Sequence, residues 1–217
     1  MECHHRCARC EGRPCDPDKR CRTGFVGSNG SGECFQGKRP LSDYLNHLHI
    51  QETLYPKDAV KLGFLENHDT PCVANVLRSR DSLLNWTAFY ALLPGATLIY
   101  AGQETGSTRP LSLFDKDPVD WKNADHGFMS FMQKVLGFAK DIKGICTEFS
   151  VEEPVEGMVK MTWLRKGITY VALLNLANLY GETHVDGLSQ SEVCLGDAGE
   201  RGRFRPERMP GLTRLPK

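Results

Sequence analysis

The eight residues Phe64-Leu-Glu-Asn-His-Asp-Thr-Pro71 follow an apolar run that begins at Val60. A short apolar run of this kind is typical of a buried strand. Asn67, His68 and Asp69 then fall where the strand ends. Acidic and imidazole side chains at the exits of buried parallel strands form the active sites of many α/β proteins. The stretch therefore predicts an α/β fold with a functional loop at residues 67–69.

A second unit of the same kind follows. Leu83 to Leu93 is apolar nearly all round, which predicts a buried helix capped by Asp81 or Ser82. Pro94-Gly95 ends that helix, and Ala96 to Tyr100 is a β-branched and aromatic run that predicts a parallel strand. Polar residues follow again, Gln103 and Glu104. Strand, polar exit, helix, strand and polar exit together predict an α/β barrel or a doubly wound sheet.

Three further features surround these units. A helix is predicted after Pro40, with Asp43 and His47 on its solvated face. The loop Thr105 to Asn123 is long enough to line a site. The next helix is predicted to end at Lys140, Lys143 and Gly144. It carries an apolar stripe that predicts core packing: Phe128, Phe131, Met132, Val135, Leu136 and Ala139.

The two units together resemble the α-amylase family (glycoside hydrolase family 13). The resemblance rests on Phe64 to Pro71, on Ala91-Leu-Leu-Pro-Gly-Ala-Thr-Leu-Ile-Tyr-Ala-Gly-Gln-Glu104 at the expected spacing, and on Phe114-Asp-Lys-Asp-Pro-Val-Asp-Trp121. It extends over roughly residues 40 to 180. The tripeptide Asn-His-Asp alone recurs by chance, but its position at a strand end, followed by the second motif, makes the match specific.

The resemblance implies a partial (β/α)8 barrel, made of the last two to three strand-helix units, followed by an incomplete antiparallel β-domain. It implies an α-glucan or maltooligosaccharide as substrate, cleaved with retention of configuration. Asp69 would stabilise the transition state, in which positive charge develops at the sugar. The substrate-binding residues would be His68, Asn67 and Trp121, and the structural residues near the site Gln103 and Glu104.

The same resemblance predicts that this chain is inactive alone. Retaining hydrolysis needs a nucleophile and a general acid about 5 Å apart. In the family these come from the fourth and fifth strands, and no matching stretch precedes Leu41. The family also commonly has arginine where this chain has Cys72. An inert substitution is the favoured interpretation of Cys72, and a reactive thiol is the less favoured one. Alternatives are a non-catalytic carbohydrate-binding chain, or a partner that completes a split barrel.

Residues 1–39 form a cysteine- and glycine-rich segment that we predict to be disordered or non-native, as a shifted reading frame would produce. Six of the nine cysteines lie there, and Cys3, Cys7 and Cys10 are weak candidates for a zinc site. A third functional hypothesis is therefore a zinc-binding N-terminal module fused to a decayed amylase end. A disulfide framework is less favoured, because no signal peptide is readable.

The predicted barrel part covers residues 40–145, and a partial β-domain covers 146–190. Its strands are predicted at 147–151, 158–164 and 168–175, with a hairpin turn at Arg165-Lys166-Gly167. Val159, Met161 and Trp163 alternate with polar residues, which predicts one buried face. Residues 191–217 turn to glycine, arginine and proline and are predicted to be a disordered tail.

Composition excludes some classes of function. The chain has 27 basic and 27 acidic residues and so carries no electrostatic footprint of a nucleic-acid-binding protein. It has no apolar run of about 18 residues that could span a membrane. By elimination, a cytoplasmic protein is expected. Calcium binds to some members of the family, but no calcium loop is readable, and no cofactor is predicted.

Overall fold

The computed structural model describes residues 34, 38–55, 60–77, 79–165 and 167–180, together with the backbone of short strands at 183–184, 192–195, 203–204 and 211–216. The segment at 1–39, and with it the candidate zinc ligands Cys3, Cys7 and Cys10, lies almost wholly outside these residues.

The first half alternates helices with two short strands. The elements are α1 (Leu41–Leu54), β1 (Leu62–Phe64), α2 (Val73–Leu77), α3 (Arg80–Leu92), β2 (Ala96–Leu98) and α4 (His126–Ile145). Two 3₁₀ turns, Gln103–Thr105 and Trp121–Asn123, lie between β2 and α4. The strand–helix–strand order agrees with the predicted α/β pattern.

β1 and β2 pair in parallel, with Leu62 opposite Ala96 and Phe64 opposite Leu98. Gly95 makes this approach possible at the end of α3. Its φ is +96°, and a Cβ at this position would lie 2.3 Å from the carbonyl oxygen of Lys61. Only glycine fits that turn without strain. The parallel pairing brings the carboxyl ends of both strands to the same edge.

α3 is the buried helix that the sequence predicts, since ten of its thirteen residues are buried. Its cap differs from the prediction. The helix begins at Arg80, and the Ser79 side chain, not Asp81 or Ser82, accepts the first free N–H, from Ser82. The earlier start places Arg80 in an ion pair with Asp125, which itself caps α4.

α4 packs its predicted stripe into the core that it shares with α3, although Leu136 is only partly buried. The helix ends at Ile145, one residue after the predicted stop at Lys140, Lys143 and Gly144. Ile142, at 1% exposure, extends the apolar stripe by one turn. Its burial favours the helical conformation past Lys140.

The second half is an antiparallel sheet. β3 (Glu148–Val155), β4 (Met158–Arg165) and β5 (Ile168–Asn175) form consecutive hairpins, as predicted, and Gly167 lies in the turn before β5. The register of β3 shifts between Glu152 and Val155. Pro154 lies in that interval, and a proline has no N–H to give to the ladder. The alternation predicted for Val159, Met161 and Trp163 is confirmed, since all three are buried.

The sheet continues beyond the predicted boundary at residue 190. β9 (Gly211–Pro216) pairs with the free edge of β5, and β7 (Glu192–Leu195) pairs with β9, so the strand order is β3-β4-β5-β9-β7. A separate pair joins β6 (Thr183–His184) to β8 (Arg203–Phe204). Of these strands, β7, β8 and β9 lie within residues 191–217, the segment predicted as a tail, and β9 covers the edge of β5, which would otherwise leave an open ladder of N–H and C=O groups.

The sheet and the helices share one core. Val151, Val159, Met161, Trp163, Ala172 and Leu174 pack into the cluster formed by α1, α3 and α4. Trp163 donates its indole N–H to the carbonyl oxygen of Leu92, at the end of α3 (3.1 Å). The opposite face of the sheet holds a smaller cluster of Met158, Val171 and Leu173.

None of the helices in the described part of the chain has the length and apolar character needed to cross a membrane.

Candidate functional site

The loop after β1 is folded by its own side chains. Asn67 accepts the N–H of Asp69 at its Oδ1 (2.9 Å), and its backbone N–H donates to Oγ1 of Thr70 (2.8 Å). This is the Asx type of turn, in which a short polar side chain replaces a backbone partner. Asn67, predicted to bind substrate, therefore has an observed role in shaping the loop.

The turn presents His68 and Asp69 to solvent. Their side chains are 57% and 69% exposed, and Nε2 of His68 lies 3.3 Å from Oδ2 of Asp69. An exposed carboxylate beside an imidazole can accept hydrogen bonds from ligand hydroxyls, and the imidazole can donate or accept them. The two residues are placed where a ligand could reach both.

The exit of β2 forms a second turn beside the first. Gln103 is 3% exposed, and its Oε1 accepts the N–H of Tyr100 (3.1 Å). Thr105 donates its hydroxyl to the carbonyl oxygen of Gly102 (2.7 Å), and Gly102 has a φ of +91°. Gln103 holds the turn together from inside, which is a structural role of the kind predicted for it.

A shallow depression joins the two turns. Residues from the loop after β1 and from the turn after β2 line it, together with the start of the long loop at 105–123. Its lining includes Glu66, Asn67, His68, Tyr100, Gly102 and Arg109. Asp69 stands at the exposed side of the same loop and is not part of the lining. Trp121, the other predicted substrate contact, is 55% exposed and is also absent from the lining.

Glu66 lies under the depression and is not among the site residues predicted from the sequence. It is 3% exposed, and its Oε2 accepts the N–H of Val73, the first residue of α2 (2.5 Å). The pKa of this carboxyl is raised to about 7, chiefly because the group is buried; the Val73 N–H opposes the shift and the neighbouring charge of Glu104 adds to it. The position of this carboxyl, directly after a predicted strand, is the sequence signal that could have identified Glu66.

Glu104 brings a second acidic group to the same place. Its Oε2 is buried and has no hydrogen-bond partner within the described residues. The charge of Glu104 acts to raise the pKa of Glu66. The described residues contain no cluster of three or more histidine, cysteine or acidic side chains that could hold a metal ion.

Arg109 supplies positive charge at the edge of the depression. It makes a bidentate ion pair with Asp117, with Nη to Oδ distances of 2.6 and 2.8 Å. This pairing and the N–H of Ser112 hold the pKa of Asp117 at about 2. Nothing in the spacing of the long loop singled out Arg109, because its partner lies eight residues further along the chain.

Cys72 also lines the depression. It is 8% exposed, and burial, followed by the charge of Glu66, raises the pKa of its thiol. A buried thiol with a raised pKa is a poor nucleophile. The geometry favours the inert interpretation of Cys72.

The architecture matches solved structures of α-amylases. An α-amylase from Lactobacillus plantarum superposes with a TM-score of 0.71 at 23% identity, over 84% of this chain and 44% of that one. A maltogenic α-amylase from Thermotoga neapolitana gives a TM-score of 0.64 at 23% identity, over 86% of this chain and 46% of that one. The chain shares its fold with α-amylases.

A third match carries a ligand. The α-amylase from Geobacillus thermoleovorans was solved in complex with acarbose, and it superposes with a TM-score of 0.64 at 16% identity. It aligns over 82% of this chain and 44% of that one. The chain thus spans less than half the length of these α-amylase structures.

No sequence model of a protein family matches this chain, and no curated protein matches it. The likeness is therefore one of fold, established by the backbone arrangement.

Proposed function

We propose that residues 40–145 form the last strand-helix units of an α-amylase-type (β/α)8 barrel, and that the loop at 67–69 is an α-glucan-binding element. One observation carries the proposal: Asn67, His68 and Asp69 lie at the carboxyl end of β1, beside the carboxyl end of β2, in a fold shared with α-amylases. Ligand sites of parallel α/β folds form at this edge.

Asp69 is the residue to which we assign transition-state stabilisation. Its carboxylate is exposed, and the turn made by Asn67 fixes the position of its backbone. A fixed carboxylate near a sugar that develops positive charge lowers the free energy of the transition state more than that of the ground state. His68, 3.3 Å away, is placed to share the hydroxyls of the same sugar.

We further propose that this chain binds glucan without hydrolysing it by itself. A retaining mechanism needs two more carboxyl groups that reach the sugar. Of the acidic residues lining the depression, Glu66 is buried and bound to the N–H of Val73, so its carboxyl is not free to attack or protonate a glycosidic bond. Among the described residues, the loops around Asp69 provide no evident acid–nucleophile pair.

Calorimetry with maltoheptaose tests the binding, and a chromogenic maltooligosaccharide tests the hydrolysis. We expect Asp69→Asn to weaken maltoheptaose binding by roughly tenfold, because a charge-assisted hydrogen bond is lost. Asp43→Asn removes another exposed acid, on α1, and should change nothing. Substrate turnover that Asp69→Asn abolishes would disprove the non-catalytic proposal, and binding unaffected by Asp69→Asn would disprove the assignment of the site.

A second candidate function, as one component of a split barrel, is favoured by the edges of the parallel sheet. Within the described residues, β1 and β2 pair only with each other. Val60 and Leu62, at the start of β1, are 77% and 50% exposed. Open parallel edges with exposed apolar side chains are suited to pairing with further strands. Co-expression with a polypeptide carrying the first strands of such a barrel, followed by co-purification, tests this candidate; separate elution would exclude it.

The zinc hypothesis at Cys3, Cys7 and Cys10 remains a prediction. Metal analysis of the purified chain that finds less than about half a zinc ion per chain would remove it.

A further inference from the structure

The loop from Arg109 to Asp117, called here the tip loop, carries an unusually exposed aromatic side chain. Phe114 is 95% exposed, and its neighbour Leu113 is 54% exposed. Burying an apolar ring that is almost fully exposed to water would be favourable by the hydrophobic effect. An exposed apolar tip beside a polar depression is the kind of surface that contacts a ligand.

The tip loop is held in shape by its own polar groups. The bidentate pair of Arg109 and Asp117 closes its base, and the N–H of Ser112 donates to Oδ2 of Asp117 (2.9 Å). The hydroxyl of Ser112 accepts the N–H groups of Phe114 (3.3 Å) and Asp115 (3.0 Å). The backbone at Phe114 is thus fixed by hydrogen bonds although its ring contacts little else.

The tip loop also begins inside the candidate site. Arg109, Pro110 and Leu111 line the depression together with Asn67 and His68. Phe114 follows Leu111 by three residues, so their Cα atoms lie no more than about 11 Å apart. The ring therefore stands within reach of an oligosaccharide whose end occupies the depression.

We propose that Phe114 is a carbohydrate-stacking residue that contacts a sugar unit further along an α-glucan bound at His68 and Asp69. This rests on the proposed function. The faces of a pyranose ring present C–H groups, and the electron-rich face of an aromatic ring attracts their partial positive charge. The flanking residues Asp115, Lys116 and Asp117 are charged, so the apolar area is limited to two side chains. Such a small area suits one sugar ring and is too small for a protein interface.

Chain length of the ligand is the discriminating variable. Maltoheptaose can extend from the depression toward Phe114 when one end binds at His68 and Asp69, whereas maltose offers only two sugar rings. We expect Phe114→Ala to weaken binding of maltoheptaose to the full chain about fivefold while leaving maltose binding unchanged. Phe114→Trp keeps an aromatic face and should retain the affinity of the unmodified chain.

Tyr180→Ala is the matched control. Tyr180 is 87% exposed but follows β5 and is not among the residues lining the depression. Its removal should leave both affinities unchanged. The melting temperature of each variant, measured by circular dichroism, should stay within a few degrees, because exposed substitutions change the free energy of unfolding little.

The outcomes separate the two proposals. If the unmodified chain binds maltoheptaose and Phe114→Ala binds it equally well, the stacking role is overturned and the site at 67–69 stands. Equal weakening for both sugars, or an equal effect of Tyr180→Ala, also overturns the stacking role. If the unmodified chain binds neither sugar, the proposed function fails and the stacking role fails with it.

Discussion

The strands in the two halves of the molecule differ in length and in the sequence distance between paired strands. β3, β4 and β5 are eight residues each and pair with near neighbours in sequence, so their ladders close locally. β1 and β2 are three residues each, and 31 residues separate them. Short, non-local pairing cannot hold a sheet alone, because loop closure costs entropy before any contact is gained.

The parallel pair is therefore held by helices. α3 lies between β1 and β2 in the chain and is buried on nearly every side, with Trp86 and Phe89 in edge-to-face contact at 5.6 Å. The loops that carry the candidate site follow these weakly paired strands, β1 and β2. The candidate site therefore depends on helix packing, while the antiparallel sheet supports the helices from the other side of the core.

The largest expected effect comes from removing the helix anchor. Phe89 is 0% exposed and packs on both Tyr44 and Trp86. We expect Phe89→Ala to lower the free energy of unfolding by about 3–5 kcal/mol, through lost burial and the cavity left behind. Urea denaturation followed by fluorescence measures it. Ile50→Ala, at a position 48% exposed, is the control and should cost less than about 1 kcal/mol.

If Phe89→Ala unfolded only the helices and the parallel strands and left the antiparallel sheet folded, the two halves would not share one cooperative core. A single transition shared by both halves is the expected result, because Trp163 and Met161 of the sheet pack into the same cluster.

The second effect concerns Glu66 and pH. Its pKa is about 7 in the folded chain, above the ordinary value of 4.5. The folded state thus binds more protons than the unfolded state between these values, so stability is higher at low pH and falls as pH rises from about 4.5 to 7. The full shift corresponds to about 3 kcal/mol.

Glu66→Gln keeps the acceptor for the Val73 N–H but cannot ionise. We expect the variant to lose most of the pH dependence between pH 5 and 7, measured by denaturation at several pH values. Asp81→Asn, at an exposed position in the first turn of α3, should leave that dependence in place. Retention of the full slope in Glu66→Gln would assign it to another group.

The smallest expected effect tests the junction between the halves. Asn85 is 1% exposed, its Oδ1 accepts the N–H of Asn175 (2.8 Å), and its Nδ2 donates to the carbonyl oxygen of Asp81 (2.9 Å). Asn85→Leu removes both side-chain hydrogen bonds and buries no polar group in their place, and we expect a loss of about 1–3 kcal/mol in the free energy of unfolding.

Ser82→Ala serves as the comparison at the same junction, since it removes a partly buried hydrogen bond to Asn178 (2.7 Å) and should cost less, about 1 kcal/mol. An Asn85→Leu variant as stable as the unmodified chain would show that the junction rests on apolar packing alone.

Prediction from sequence succeeded where the signal is periodic. The stripe on α4 and the alternation of Val159, Met161 and Trp163 appear in the structure as buried faces, because each pattern repeats at the period of its own element. The strand exits at Asn67 and Gln103 were located instead from short apolar runs followed by polar residues, although β1 and β2 are shorter than these runs and only partly buried. The cap of α3 was missed, since Asp81, Ser82 and Ser79 all satisfy the local preference and only the pairing of Arg80 with Asp125 selects the earlier start.

Within the candidate site, sequence named the exposed residues and missed the supporting ones. Asn67, His68 and Asp69 stand out as a polar tripeptide after a strand. Glu66 and Arg109 do not, because their roles depend on partners seven and eight residues away in the chain. Trp121, chosen from the resemblance, is exposed and outside the lining of the depression, and its sugar-binding role remains a prediction.

Local periodicity and turn chemistry were enough to predict the order of helices and strands, the buried faces of α3, α4 and β4, and the position of the tripeptide at a strand exit. The burial of Glu66 against α2, the placement of Arg109 at the depression and the pairing of β9 with the edge of β5 emerge from the three-dimensional fold. Burial and pairing between distant segments depend on packing in three dimensions, which no local pattern of residues encodes.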